Sequence, residues 1–146
     1  MISLSNQLRD DLEELFRNNE NYPEYKDIIV KKQYEKYPKI TYPIISIQEL
    51  NNEDVLKYRD DNGEEVTYLG YQIRIDSEQT EDHTALENVE IIGELIDEYL
   101  KGERYWCLRR IGNFAKYPMQ NDDNVMVGYL RYECNVDIKT NTIYRR

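Results

Sequence analysis

Cysteine, histidine and basic residues are all scarce in this chain, and each shortage excludes something. Two cysteines in 146 residues are too few for a disulfide scaffold. Cys107 and Cys134 are expected instead as buried thiols on strands, behaving as small hydrophobes. A single histidine, His83, and no C-x-x-C or H-x-x-x-H spacing leave zinc without a nitrogen–sulfur shell. No Gly-rich phosphate loop is present, so the chain is expected to hold no metal and no cofactor. No apolar run is longer than a few residues, and none is expected to cross a bilayer. Met1-Ile2-Ser3-Leu4-Ser5 lacks the basic start and apolar stretch of a signal peptide, which gives a soluble intracellular protein as the expectation. Nineteen basic residues against twenty-nine acidic ones give a net charge of −10. That sign is wrong for a protein that coats phosphate backbones, so sequence-specific nucleic-acid binding is not expected.

What is present suits one domain over residues 1–146, since 40% of the chain is hydrophobic and able to form a core. The charge is unevenly spread. Residues 1–102 hold 11 basic and 24 acidic side chains (net −13), while residues 103–146 hold 8 and 5 (net +3). A head-to-tail split of this kind suits a subunit that packs against copies of itself. Solvated helix faces that happen to fall early in the chain explain it equally well.

Leu4, Leu8, Leu12, Leu15 and Phe16 recur at spacings of three and four, which predicts an amphipathic helix. Ser3 or Ser5 can cap its start, and Asn18-Asn19 with Tyr22-Pro23 ends it. Ile40 to Leu50 reads as a strand that begins after Pro43 or lies at a sheet edge. Val55 to Tyr58 and Val66 to Asp76 read as hairpin arms around Asp60-Asp61-Asn62-Gly63, because Asn-Gly favours the positive φ of tight hairpin turns. The second arm alternates cleanly. Leu69, Tyr71, Ile73 and Ile75 fall on one side, and Tyr68, Gly70, Gln72, Arg74 and Asp76 on the other, wet side. Thr84 and Glu87 form a capping box ahead of a helix whose apolar face is Leu86, Val89, Ile92, Ile96, Tyr99 and Leu100. Gly102 is expected as its left-handed stop. Gly93 lies on that apolar face and costs ~1 kcal/mol of helix propensity relative to Ala, which points to a close approach there. Arg104 to Ile111 and Val125 to Ile138 read as strands, with a loop over 112–124 between them. Helix, strands, helix, strands is an α+β order: two main helices on one face of a largely antiparallel sheet.

Candidate chemistry is thin. Placing Gly63 at position six of a calcium loop puts Tyr58 and Leu69 where carboxylates are required, so that motif fails. Ser77 with Asp82-His83-Thr84 has the residue types of a hydrolytic triad, but crowded into one loop, and His83 reads better as a lone exposed histidine. No catalytic residue is assigned, and the chain is not expected to be an enzyme. Nine acids and no lysine or arginine fall between Asp76 and Glu98. That run suits a solvated helix face, or an acidic mimic of DNA that inhibits another protein. The last strand and tail carry Arg131, Lys139, Arg145 and Arg146 beside tyrosines, of which the chain has fourteen. Tyrosine and arginine are enriched where proteins meet, so Arg131, Tyr144, Arg145 and Arg146 are read as interaction surface. The hairpin tip Asp60, Asp61, Asn62 and Gly63 is read as a projecting contact to a neighbour.

Taken in order, these segments resemble the tail terminator (tail-completion) proteins of long-tailed bacteriophages and prophages. The resemblance runs through the N-terminal amphipathic helix, Tyr37-Pro38, and Tyr42-Pro43-Ile44-Ile45-Ser46-Ile47-Gln48-Glu49. It continues with Leu69-Gly70-Tyr71-Gln72-Ile73-Arg74-Ile75, where the family shows Y-Q-I-x-I. The helix ending near Gly102, then Tyr129-Leu130-Arg131-Tyr132-Glu133-Cys134 and the closing Tyr144-Arg145-Arg146, complete it. Where the family has Gly-Phe after the second helix, this chain has Gly102-Glu103-Arg104-Tyr105. The resemblance implies a small α+β subunit without catalytic residues that joins a ring with itself, usually a hexamer. Its implied partners are the major tail tube protein and a head-closure or connector protein. Its implied place is the neck of the virion tail, after synthesis in the bacterial cytoplasm. A head-closure or head–tail joining protein is the neighbouring alternative; an acidic DNA mimic or inhibitor belongs to a different class.

Overall fold

The computed structural model describes residues 4–33, 35–50, 58–59, 65–137 and 142–144. The elements follow in the order α1 (Ser5–Arg17), β1 (Ile29–Lys32), β2 (Ile44–Leu50), β3 (Tyr58–Arg59), β4 (Glu65–Glu78), α2 (Ala85–Leu100), β5 (Arg109–Met119), β6 (Asp122–Asp137) and β7 (Thr142–Tyr144). This is the expected α+β architecture. The sheet runs β1-β2-β4-β6-β5, with β3 added to β4 and β7 added to β6. Among the described residues β1 and β2 pair in parallel, and the other pairs are antiparallel.

Both helices pack on one face of the sheet, α1 over β1 and β2, α2 over β4, β6 and β5. The leucine stripe of α1 buries Leu8, Leu12 and Phe16. Leu4, at its cap position, donates its N–H to the Tyr71 hydroxyl at 2.8 Å. The expected serine cap is not made: Ser5 is already the first helical residue, Leu4 holds the cap position without a side-chain bond, and Ser3 lies outside the described residues. On β4, Tyr71, Ile73 and Ile75 point into the core, as the alternation predicts, and meet Ile45 and Ile47 of β2 and Leu130, Tyr132 and Cys134 of β6. The Leu69 side chain lies outside the described residues.

α2 opens on the expected capping box. The Thr84 hydroxyl accepts from the Glu87 N–H at 3.1 Å, and the Glu87 carboxylate accepts from the Thr84 N–H at 3.2 Å. Val89, Ile92, Ile96 and Leu100 are buried, whereas Leu86 is exposed. Gly93 makes the close approach that its cost implied, against a side chain on β5. A Cβ there would stand 2.3 Å from the Phe114 ring, whose other edge lies against Gly128 of β6. Phe114 is thus clamped between two glycines, which brings α2 down onto the sheet.

Four expectations are corrected. Gly102 is extended (φ −70°, ψ 171°), because α2 passes into a 3-10 turn over Glu103–Tyr105 that needs no left-handed residue. The expected strand over Arg104–Ile111 starts only at Arg109 for the same reason, so Cys107 precedes the strand and Cys134 alone sits on one. The expected loop over 112–124 is mostly strand. Gly112 (φ 73°) opens a bulge between Ile111 and Ala115, and β5 continues through Pro118 to a tight turn at Asn121 (φ 67°). Proline is tolerated there because β5 is an outer strand. β2, by contrast, is internal and begins after the cis Tyr42-Pro43 bond.

Tyr58–Arg59 pairs antiparallel with Glu65-Val66, as hairpin arms must, but Val55 and the tip residues Asp60, Asp61, Asn62 and Gly63 lie outside the described residues. So do Ile138, Arg145 and Arg146.

Candidate functional site

The strand register aligns the side chains on the sheet face opposite the helices into rows. One row crosses all five main strands: Lys31, Ser46, Arg74, Tyr129 and Ala115. The next holds Gln48, Gln72, Arg131 and Ile111. Neither row contains a carboxylate, but Asp76 of the adjoining row lines the same groove. The chain between β1 and β2 brings Ile40 and Tyr42 to the same face, where they rim a groove of about 500 Å³ above Ser46, Gln48, Gln72 and Arg74. A second hollow adjoins it at Ile111, Tyr117, Tyr129 and Arg131. Ile40 and Tyr117 are more than half exposed.

This face is fixed by internal contacts. Arg74 pairs with Asp76 at 2.7 Å and lies 5.8 Å from the centre of the Tyr129 ring. The hydrogen bond to Asp76 is the main reason its pKa is raised, so it stays charged. Arg131 donates from Nε to the Gln72 amide oxygen at 2.9 Å, which uses one of its five N–H donors. Burial and the nearby charges of Asp76, Asp122 and Glu78 raise the pKa of Tyr42, keeping its hydroxyl neutral.

Of the residues read from sequence as interaction surface, Arg131 stands on this face. Tyr144 is on β7, opposite Asn135 of β6. Asp60, Asp61, Asn62, Gly63, Arg145 and Arg146 lie outside the described residues. Sequence reading missed Lys31, Tyr42, Gln48 and Tyr129 as members of the face. Their signal was the wet side of the β4 alternation, which names Gln72 and Arg74 and, through the register, everything opposite them.

The opposite surface is acidic. Over its sixteen residues α2 has five carboxylates and no cation. Two are engaged by β5: Lys116 reaches Glu90 at 3.4 Å, and Arg110 reaches Asp97 at 3.1 Å. Glu94 and Glu98 are exposed and without an ion-pair partner among the described residues. Nine acids in sequence are therefore not nine free charges, which weakens the case for a continuous DNA-like surface.

The hydrolytic arrangement is not assembled. The Ser77 hydroxyl is buried and donates to the Glu78 carbonyl at 2.9 Å, and Thr84 caps α2. His83 is half-buried rather than exposed, with Nε2 3.3 Å from Glu24 and Nδ1 3.9 Å from Glu87. Among the described residues no three of His, Cys, Asp and Glu are gathered as metal ligands. No helix among them is long and apolar enough to cross a membrane.

Cys107 and Cys134 are buried side by side. Contact with Cys107, then burial, pushes the Cys134 thiol far above its ordinary pKa. A thiolate is the reactive form, so both cysteines should resist iodoacetamide at pH 8 in the native protein and react in urea. Fast labelling of the folded protein, read by mass spectrometry, would contradict that placement.

Comparison with models of known protein families and with curated proteins finds no match to this chain.

Proposed function

We propose that this chain is a tail terminator subunit, which caps the head-proximal end of a bacteriophage tail tube as a ring. The ring stops tube polymerisation and offers its other side to a head-closure or connector protein. Two things support this reading. The ordered segments described above resemble that family across nearly the whole chain, and the α+β fold agrees with what the resemblance implies.

The observation that carries an assembly role is the sheet face that no helix among the described residues covers. A sheet with helices on one side leaves the other side to water or to a partner. Here that side holds tyrosine, arginine, glutamine and exposed isoleucine around a groove. These are interface residues rather than a reaction centre. A ring requires a head-to-tail contact between two different patches, and acidic and basic surfaces of one subunit supply such a pair. Exposed ion pairs contribute only ~0.2–1 kcal/mol each, so charge would steer the contact while tyrosines and aliphatics supply most of the affinity.

The test is electron microscopy of the purified protein with tubes of the tail tube protein from the same phage or prophage. Rings seated on one tube end are the expected result. Bare tube ends at saturating protein would overturn the proposal.

A further inference from the structure

We propose that the occupant of the open sheet face is α2 of a second copy of this chain, lying across the strands with its acidic ridge on Lys31 and Arg131. This rests on the ring reading above and names the two surfaces that make the ring.

Charge selects this occupant. The two central rows of the open face hold three cations. Arg74 is paired with Asp76 of the adjoining row, which also lines the groove, while Lys31 and Arg131 have no ion-pair partner among the described residues and carry its positive charge. On α2, Glu87, Glu94 and Glu98 are exposed along the outer side of the helix, and no lysine or arginine interrupts them. The cations of β5 that reach α2 are spent on Glu90 and Asp97, which leaves the ridge negative.

Length agrees. Five strands at a spacing of ~4.8 Å set a row about 19 Å long. From Glu87 to Glu98 the helix rises about 17 Å. A helix laid along the row would thus keep its carboxylates over the floor from one edge strand to the other. Ile40 and Tyr117, exposed at the groove margins, would be covered by the helix and the side chains flanking its ridge.

Topology also agrees. α2 sits on one side of the sheet and the groove on the other, so no copy can place its own α2 in its own groove. The contact is heterologous, and it closes into a ring or extends according to the rotation between copies.

Charge reversal tests the pairing. Lys31→Glu with Arg131→Glu inverts the groove, and Glu94→Arg with Glu98→Arg inverts the ridge. All four positions are solvent-accessible, and circular dichroism with thermal melts confirms folding. Should a reversed variant fail to fold, the Gln versions at the same positions replace it. By sedimentation velocity, each variant alone should need a concentration at least ~100-fold higher than wild type to assemble. An equimolar mixture should assemble, because each groove then finds a ridge of opposite sign. For the Gln versions, loss of assembly in both variants is the supporting result.

Assembly of either variant alone at the wild-type concentration would overturn the proposal. If the groove variant assembles normally but no longer seats on tubes, the groove belongs to the tube protein. That result removes this inference and leaves the capping function standing. A wild-type protein that neither assembles nor seats on tubes would remove both.

Discussion

Asp97→Ala is expected to destabilise the protein by about 1–3 kcal/mol, the range for leaving a buried hydrogen-bond donor without its acceptor. Asp97 is the point where α2 is tied to the sheet. Its carboxylate accepts from the Tyr132 hydroxyl at 2.7 Å and from Arg110 at 3.1 Å, and Lys101 lies 3.2 Å away. Tyr132 is buried on β6, so alanine at position 97 leaves its hydroxyl without its acceptor. Asp97→Asn keeps an acceptor for the Tyr132 hydroxyl and loses only the charge, so it should cost less than Asp97→Ala.

The same carboxylate sets an acid limit. Burial on its own would raise the pKa of Asp97, but the Tyr132 hydrogen bond and the charges of Lys101 and Arg110 outweigh it and hold the value below normal. A group whose folded pKa is depressed stabilises the protein above its unfolded pKa, ~3.9 for Asp, and that stability is lost as pH falls through the folded value. Asp11 behaves alike: burial opposes, and Arg104 with Tyr105 prevails. Urea unfolding should therefore show wild type losing stability below about pH 4, with Asp97→Asn losing less over the same interval. A variant as stable as wild type at pH 7 would contradict the role given to this cluster.

The second large effect concerns the Phe114 clamp. Gly128→Val should destabilise by about 1–3 kcal/mol or more through overpacking. A Cβ at 128 would stand 2.5 Å from Val89 Cγ1 and 2.7 Å from Phe114 Cε1, with the helix behind both. Gly93→Ala separates the cause from a general intolerance of change. In the wild-type background the new methyl group meets the Phe114 ring and the substitution should destabilise. With Phe114→Ala already in place the clash is gone, and the ~1 kcal/mol of helix propensity gained over glycine should show as a net stabilisation. Equal effects of Gly93→Ala in both backgrounds would contradict the clamp.

These sites also mark how far the sequence was legible. α2 could be read in full at its start, because a capping box is a local pattern of two side chains and two N–H groups. Its end could not. Gly102 allows a left-handed stop, but whether one forms depends on where the chain goes next, and here a 3-10 turn follows at once. β4 could be read because one of its faces is buried and the other wet, which is the condition for alternation. β5 could not be read as a strand beyond Ile111, since Gly112 and Pro118 both signal a loop and its burial is irregular. A sheet edge tolerates both residues, and sequence alone does not say which strand is outermost. β1, four residues around a short apolar run, was not distinguished from loop for want of length. The candidate face suffered most. Its members come from β1, β2, β4, β5 and β6, so the rows exist only once the register is known. Arg131 was found through its company of tyrosines; Lys31 and Gln48 had no such company.

The two charged surfaces are a revision of the same kind. Counted along the chain, the split falls between residues 1–102 and 103–146, yet in space residues of both parts share each side of the sheet. Lys31 and Arg74 belong to the acidic part of the sequence and stand on the open face with Arg131, Arg74 paired there with Asp76. Arg110 and Lys116 belong to the basic part and serve α2. What matters for assembly is the layer, and the layer is set by strand alternation.

The central claim is that this protein ends a tube, and tube length in a reconstituted polymerisation tests it most directly. Tail tube protein polymerising with purified wild-type chain should give tubes that each carry one ring at one end and stop lengthening once capped. Added at a later time, the protein should freeze the length distribution at that time. Tubes that grow to the same lengths with and without the protein, with no density on their ends, would contradict the account.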